Sequence, residues 1–296
     1  MTLLALEIGP TGFAAARVAE DVDADDVRQV PLPADAAWER CLALLTEVAA
    51  GGDVTGLGIA CAGPVDMAAG VVAPAEIAEW RTGFDIVEAA RAAFPGAAVH
   101  LAVDGVCSAL AERSLGATKE AMDSLSVTVA ERISGGVTVG GFVVVGRTGN
   151  AGNIGHVLVP GYDELCECGG RGCLEAVAGG VAAMRWAQSE GWGGSSVAEL
   201  VAAARIQDQV AVAAMARVGT SLGRAIVSVA ALLDIDLVVV GGAVAEAGPA
   251  LWEPLGAAVA AHARLSYLPG LRVVPSTLGD MGALAGAGLL ALTPRR

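Results

Sequence analysis

Three thiols crowd into eight residues, Cys166-Glu-Cys168-Gly-Gly-Arg-Gly-Cys173, and the glycines between them let the backbone turn sharply enough to aim all three sulfurs at one point. His156 stands ten positions before the first, after the glycine-rich stretch Gly149 to Gly155. Three thiolates and one imidazole form a closed tetrahedral set for Zn²⁺, with no position left open for water. The same residues could instead form a disulfide or lie inertly buried, and His156 could be a polar core histidine. The odd number and the tight spacing favour the metal. A closed site of this kind is a fold element and not a catalyst, and its binding energy becomes folding energy, on the order of 10 kcal/mol in small zinc modules.

The remaining cysteines, Cys41, Cys61 and Cys107, are scattered through apolar segments and read as small buried hydrophobes. With 296 residues the chain suits two domains of unequal size, and 54% hydrophobic content fills a large core. A net charge of −14 argues against nucleic acid, whose phosphates demand Lys and Arg. The most apolar stretches, such as 225–240, are interrupted by Asp234 and Asp236, so no membrane span is expected, and Glu7 inside the first apolar run speaks against a secretory signal. The expectation is a cytoplasmic protein. Lys119 is the only lysine and has no glycine-rich loop before it, so a Gly-Lys-Ser/Thr phosphate loop is excluded. Any nucleotide must be held by backbone amides and a metal.

Along the chain, Leu3 to Ile8 and Phe13 to Val18 read as a hairpin around Gly9-Pro-Thr-Gly12. Helical spacing follows over Ala36 to Ala50, then a strand at Leu57 to Ala60 stopped by Gly63-Pro64. Next come a helix at Ile86 to Phe94, a strand at Val99 to Ala102 and a helix at Val106 to Ser114. The pattern then restarts, with a strand at Leu125 to Val129, a turn over Ala130 to Gly136 and further strand over Val137 to Val145. Helices are expected at Leu174 to Ser189, Gln207 to Leu233 and from Met281 onward, with a strand at Leu237 to Val240. Two halves that open alike imply a duplicated α/β architecture with a cleft between them.

Taken in order, these segments resemble the ROK family of repressors, open reading frames and sugar kinases. Gly149-Asn-Ala-Gly-Asn-Ile-Gly-His156 followed by Cys166 to Cys173 and Leu-Glu175-Ala resembles its signature. Glu7-Ile-Gly-Pro-Thr-Gly12 resembles its first phosphate loop, Gly58 to Pro64 the next strand and turn, and Val103-Asp104-Gly the segment bearing the catalytic aspartate. Val238 to Ala243 resembles its adenosine loop and Leu278 to Ala287 its closing helix. The resemblance implies a two-domain actin-like, ribonuclease H-like sugar kinase fold with an interdomain cleft and a structural zinc site. The domains would cover residues 1–116 and 117–280, with a helix over 281–296 returning to the first. It further implies ATP and Mg²⁺ in the cleft beside a hexose, and a homodimer. Asp104 would take the proton of the sugar hydroxyl as it attacks the γ-phosphate. Its position just before a helix also suits an N-cap. Glu7, Gly9, Thr11, Arg132, Gly135, Gly241 and Gly242 would serve the nucleotide; Glu175, His156, Asn153 and Glu76 would serve the sugar.

Several positions depart from the family pattern. Glu7 replaces an aspartate. The second phosphate loop, normally Gly-Thr-Gly-x-Gly, is Ala130-Glu-Arg132-Ile-Ser134, where side chains block the close backbone approach that glycines allow and Arg132 offers a direct phosphate donor instead. On the sugar side, asparagines give way to Ala75 and Val103 and a glutamate to Asn153, each a lost polar contact worth about 1–3 kcal/mol. Two readings follow: a kinase of altered specificity, or a non-catalytic relative that senses a ligand or binds a partner. The DNA-binding members carry a winged helix ahead of the kinase-like part; here the first loop lies within ten residues of the start, and no such module is expected.

Overall fold

The computed structural model describes residues 2–294, which divide into two units. The first comprises Met1–Leu115, Val143–Gly152 and Met281–Arg296, the second Gly116–Phe142 and Asn153–Asp280. Residues 143–152, expected from sequence to lie in the second domain, group with the first. Asn150 explains this: its side chain accepts from Val65 N at 2.9 Å and donates to Val65 O at 2.7 Å, imitating a strand partner, while Thr148 O accepts from Met67 N at 2.9 Å.

The first unit is built on strands β1 (Thr2–Ile8), β2 (Gly12–Val18), β3 (Arg28–Pro31), β4 (Val54–Cys61) and β7 (Ala98–Val103), with β5 (Val65–Asp66) and β6 (Val71–Val72) forming a small separate pair. The sheet order is β3-β2-β1-β4-β7, with β1 antiparallel to β2 and parallel to β4, and β4 parallel to β7. Helices α1 (Ala37–Ala49), α2 (Ile86–Ala93) and α3 (Asp104–Ser114) follow strands in the β-α alternation that parallel pairing requires. Leu4, Leu6, Ile8, Leu57 and Ile59 are fully buried in its core. Trp80, 2% exposed, stacks on Phe84 with centroids 4.5 Å apart. The C-terminal helix (Gly282–Ala291) packs on β1, β4 and α3. The approach is so close that a methyl group at Gly58 would overlap the Ala287 carbonyl, and one at Gly286 would overlap the Cys107 carbonyl. Cys41, Cys61 and Cys107 are all buried here, as expected.

The second five-stranded sheet has strands β8 (Ser124–Val129), β9 (Ile133–Val139), β10 (Phe142–Val144), β11 (Leu237–Gly241) and β12 (Arg272–Pro275) in the order β10-β9-β8-β11-β12. β8 and β9 are antiparallel; β8, β11 and β12 run parallel. The helices of the second unit are α4 (Leu174–Ala178), α5 (Gly180–Ser189), α6 (Val197–Arg205), α7 (Gln209–Leu233) and α8 (Pro249–His262). Asp208 caps α7 by accepting from Ala211 N at 2.9 Å. By length and composition α7 could cross a membrane, but 61% of its most apolar window is buried inside the protein, chiefly against α8, so it serves as a core helix.

Three sequence expectations change. The turn expected over Ala130 to Gly136 is confined to Ala130–Arg132, because Ile133 to Gly136 already pair with β8. The strand expected over Val137 to Val145 folds back at Gly140 and Gly141, both with positive φ. The helix expected over Leu174 to Ser189 breaks at Gly179, which is extended, with φ −58° and ψ 147°. A methyl group there would lie 2.7 Å from the Glu175 carbonyl oxygen, so only glycine fits the break.

Candidate functional site

The cysteine loop is folded by its own backbone. Cys166 N donates to Gly170 O at 2.8 Å, Gly169 N to Cys166 O at 2.9 Å, and Gly172 N to Glu164 O at 3.0 Å. Gly169 and Gly172 adopt φ of 87° and 72°, and a methyl group at Gly172 would press within 2.7 Å of the Tyr162 carbonyl oxygen. Ile154–His156 forms a single 3₁₀ turn that presents the imidazole to this loop. The ligand atoms of His156, Cys166, Cys168 and Cys173 all lie within 4.8 Å of one another. Cys166 Sγ is 3.8 Å from His156 Nδ1, and Cys168 Sγ is 3.8 Å from Cys173 Sγ. Zinc–sulfur bonds of about 2.3 Å at tetrahedral angles put sulfurs about 3.8 Å apart, so the donor set fits such an ion. The His156 pKa is lowered, first by burial and then by the Arg132 guanidinium, which favours the neutral imidazole that a metal requires.

A second anchor holds the loop from outside. Arg217 on α7 pairs with Glu164 and lies over the Tyr162 ring, 4.6 Å from its centroid.

Beside the loop, Glu175 is the second residue of α4, two after Cys173. Its Oε2 accepts from Ile133 N at 2.6 Å, and its Oε1 lies 4.0 Å from Arg132 Nε. Arg132 Nη1 donates to Glu167 Oε2 at 2.9 Å. A methyl group at Gly155 would sit 3.3 Å from Asn153 Oδ1 and 3.5 Å from Glu175 Oε2, so the amide and the carboxylate converge over this glycine. Arg132, Asn153, His156 and Glu175 are thus one neighbourhood. Gly241 and Gly242 end β11, against the end of β8: a methyl group at Gly242 would lie 2.5 Å from Val129 O. The β8–β9 turn and these glycines therefore share the carboxyl-terminal edge of the parallel strands, where open α/β sheets bind ligands. Gly135 lies inside β9, opposite Val127, rather than on the turn.

In the first unit the carboxyl-terminal strand ends gather another set. Glu7 is the penultimate residue of β1, with Gly9 N bonded to Gly12 O at 2.9 Å and Thr11 exposed on the turn. Asp104 is the first residue of α3 and not its N-cap; its Oδ1 accepts from Gly105 N at 2.6 Å, and the helix dipole favours its negative charge. Burial pushes the Cys107 thiol well up, with Asp104 and then Glu7 adding to it. Burial likewise raises Cys61 to about 12, with contributions from Asp104 and Glu76. Asp104 is the carboxylate that both thiols share.

Sequence reasoning missed Glu167 and the amino end of α5. Gly180 N and Val181 N donate to Ala130 O and Glu131 O at 2.9 and 3.1 Å. The Gly179-Gly180 pair was the available signal for the helix end; for Glu167 there was none.

Residues 3–294 match the ROK family. The glucokinase of Thermotoga maritima is 29% identical over 98% of this chain and 97% of its own. The kanosamine kinase of Amycolatopsis mediterranei is 33% identical over 72% of this chain and 69% of its own. A ROK family glucokinase from Streptomyces griseus, solved in complex with glucose and AMPPNP, superposes with a TM-score of 0.87 at 27% identity, covering 98% of this chain and 99% of that one. From its first strand to its last helix, this chain belongs to the ROK family.

Proposed function

We infer that this protein is an ATP-dependent kinase of a hexose or sugar-like hydroxyl compound, with Asp104 as base. The observation that carries the reading is Asp104 itself, set at the amino end of α3 among the strand ends that also hold Glu7. Its carboxylate would take the proton of the acceptor hydroxyl as that oxygen forms its bond to the γ-phosphorus and ADP leaves. Bound ATP with Mg²⁺ supplies the phosphoryl group. On this reading Glu7, Gly9, Thr11, Arg132, Gly135, Gly241 and Gly242 hold the nucleotide, and Asn153, His156, Glu175 and Glu76 hold the acceptor. Zinc held by His156, Cys166, Cys168 and Cys173 fixes the acceptor residues in place. Relatives named as glucokinase, kanosamine kinase and N-acetylmannosamine kinase support the class. A cytoplasmic homodimer completes the proposal.

A second reading, a non-catalytic ligand sensor, is favoured by one observation. The turn Ala130–Arg132 has lost its glycines, and its carbonyls accept from Gly180 N and Val181 N. Calorimetric titration with Mg-ATP, with and without a panel of hexoses, separates the two. The kinase binds nucleotide, and Asp104→Asn lowers kcat by about 10²–10⁴ with nucleotide affinity retained. No nucleotide binding by the wild-type chain leaves the sensor.

A further inference from the structure

The β8–β9 turn is joined to the cysteine loop by a side-chain contact. Arg132 Nη1 donates to Glu167 Oε2 at 2.9 Å, and Glu167 stands between Cys166 and Cys168. The Nε edge of the same guanidinium faces Glu175 Oε1 at 4.0 Å, and the other oxygen of Glu175 takes the Ile133 amide. Two carboxylates thus locate the head of Arg132, and one of them rides on the loop that carries the metal ligands. The backbone on either side of Arg132 is fixed as well, through Ala130 O, Glu131 O and Ile133 N.

An unrestrained arginine loses rotamer freedom when an anion fixes it, whereas a planar fork already oriented loses less. Glu167 also carries a charge of the same sign as the anion. Its side chain is 58% exposed, so water screens that repulsion, while the Arg132 side chain is 28% exposed and held. We propose that Glu167 is a positioning residue that holds Arg132 toward a polyphosphate ligand, so that the cysteine loop sets the affinity of the neighbouring turn. This rests on the kinase reading, in which Arg132 contacts the nucleotide.

The test is calorimetric titration of wild type, Glu167→Gln, Arg132→Ala and the double variant with Mg-ATP and with inorganic tripolyphosphate. Metal content and melting temperature are measured for each. Arg132→Ala should weaken binding about tenfold, and Glu167→Gln up to about fivefold with metal content and melting temperature unchanged. In the Arg132→Ala background, Glu167→Gln should add nothing. The proposal is overturned if Glu167→Gln leaves affinity unchanged, tightens it, weakens it equally in both backgrounds, or loses the metal. Wild type that binds tripolyphosphate but not Mg-ATP removes the kinase reading and leaves Glu167 to be decided on the inorganic ligand. Binding of neither sinks both.

Discussion

Each unit opens with a hairpin, and the two turns are built on different principles. The β1–β2 turn keeps Gly9 and Gly12 and is closed by main-chain bonds, Gly9 N to Gly12 O and Leu32 N to Thr11 O at 3.1 Å. The β8–β9 turn has side chains at every position and is braced from outside by Glu175, Glu167 and the amino end of α5. A turn that gives up glycines gives up local backbone freedom, and its shape must then be imposed by neighbours. In this protein those neighbours are the cysteine loop and the helices that follow it.

The largest test of that contrast is metal removal. Stripping the zinc proposed for the cysteine loop, whose binding in small zinc modules is worth on the order of 10 kcal/mol, should loosen residues 156–175 and the β8–β9 turn together. Hydrogen exchange should then rise at Ile133 and stay unchanged at Gly9; equal change at both turns would erase the distinction. Next in size, Gly12→Ala should cost about 1–3 kcal/mol, because the new methyl group meets the Val30 carbonyl of β3, a rigid backbone neighbour. Its signature is a lowered melting temperature with metal content intact. The smallest effect belongs to Glu175→Gln, which turns a charge-assisted hydrogen bond into a neutral one and should cost about 1 kcal/mol. Faster exchange confined to the Ile133 amide would mark it, and no change there would show that the brace lies elsewhere.

What sequence could reveal followed the range of the interactions involved. The cysteine loop was legible because its ligands and its permissive glycines lie within a few residues of one another. Both hairpins were legible for the same reason. The short edge strands β3 and β12 were not, since Arg28–Pro31 and Arg272–Pro275 have no fully buried residue and exist only through pairing. α8 was hidden by Pro254 inside it and by the weak segregation of its apolar residues to one face. At the site, Asp104, His156 and Glu175 carried family motifs, whereas the Arg132–Glu167 contact spans 35 residues and belongs to no pattern. Asn150 joined residues 143–152 to the first unit across 85 residues, a distance no local periodicity encodes.

The fit of Gly286 against Cys107, and of Gly58 beneath Ala287, bears on synthesis. The sheet of the first unit lacks its closing helix until residues 282–291 emerge from the ribosome, so β1 and β4 wait with an apolar face uncovered. Residues 153–280, made earlier than that helix, can assemble with 116–142 before it arrives. The amino-terminal half of this chain is therefore the later of the two to be finished.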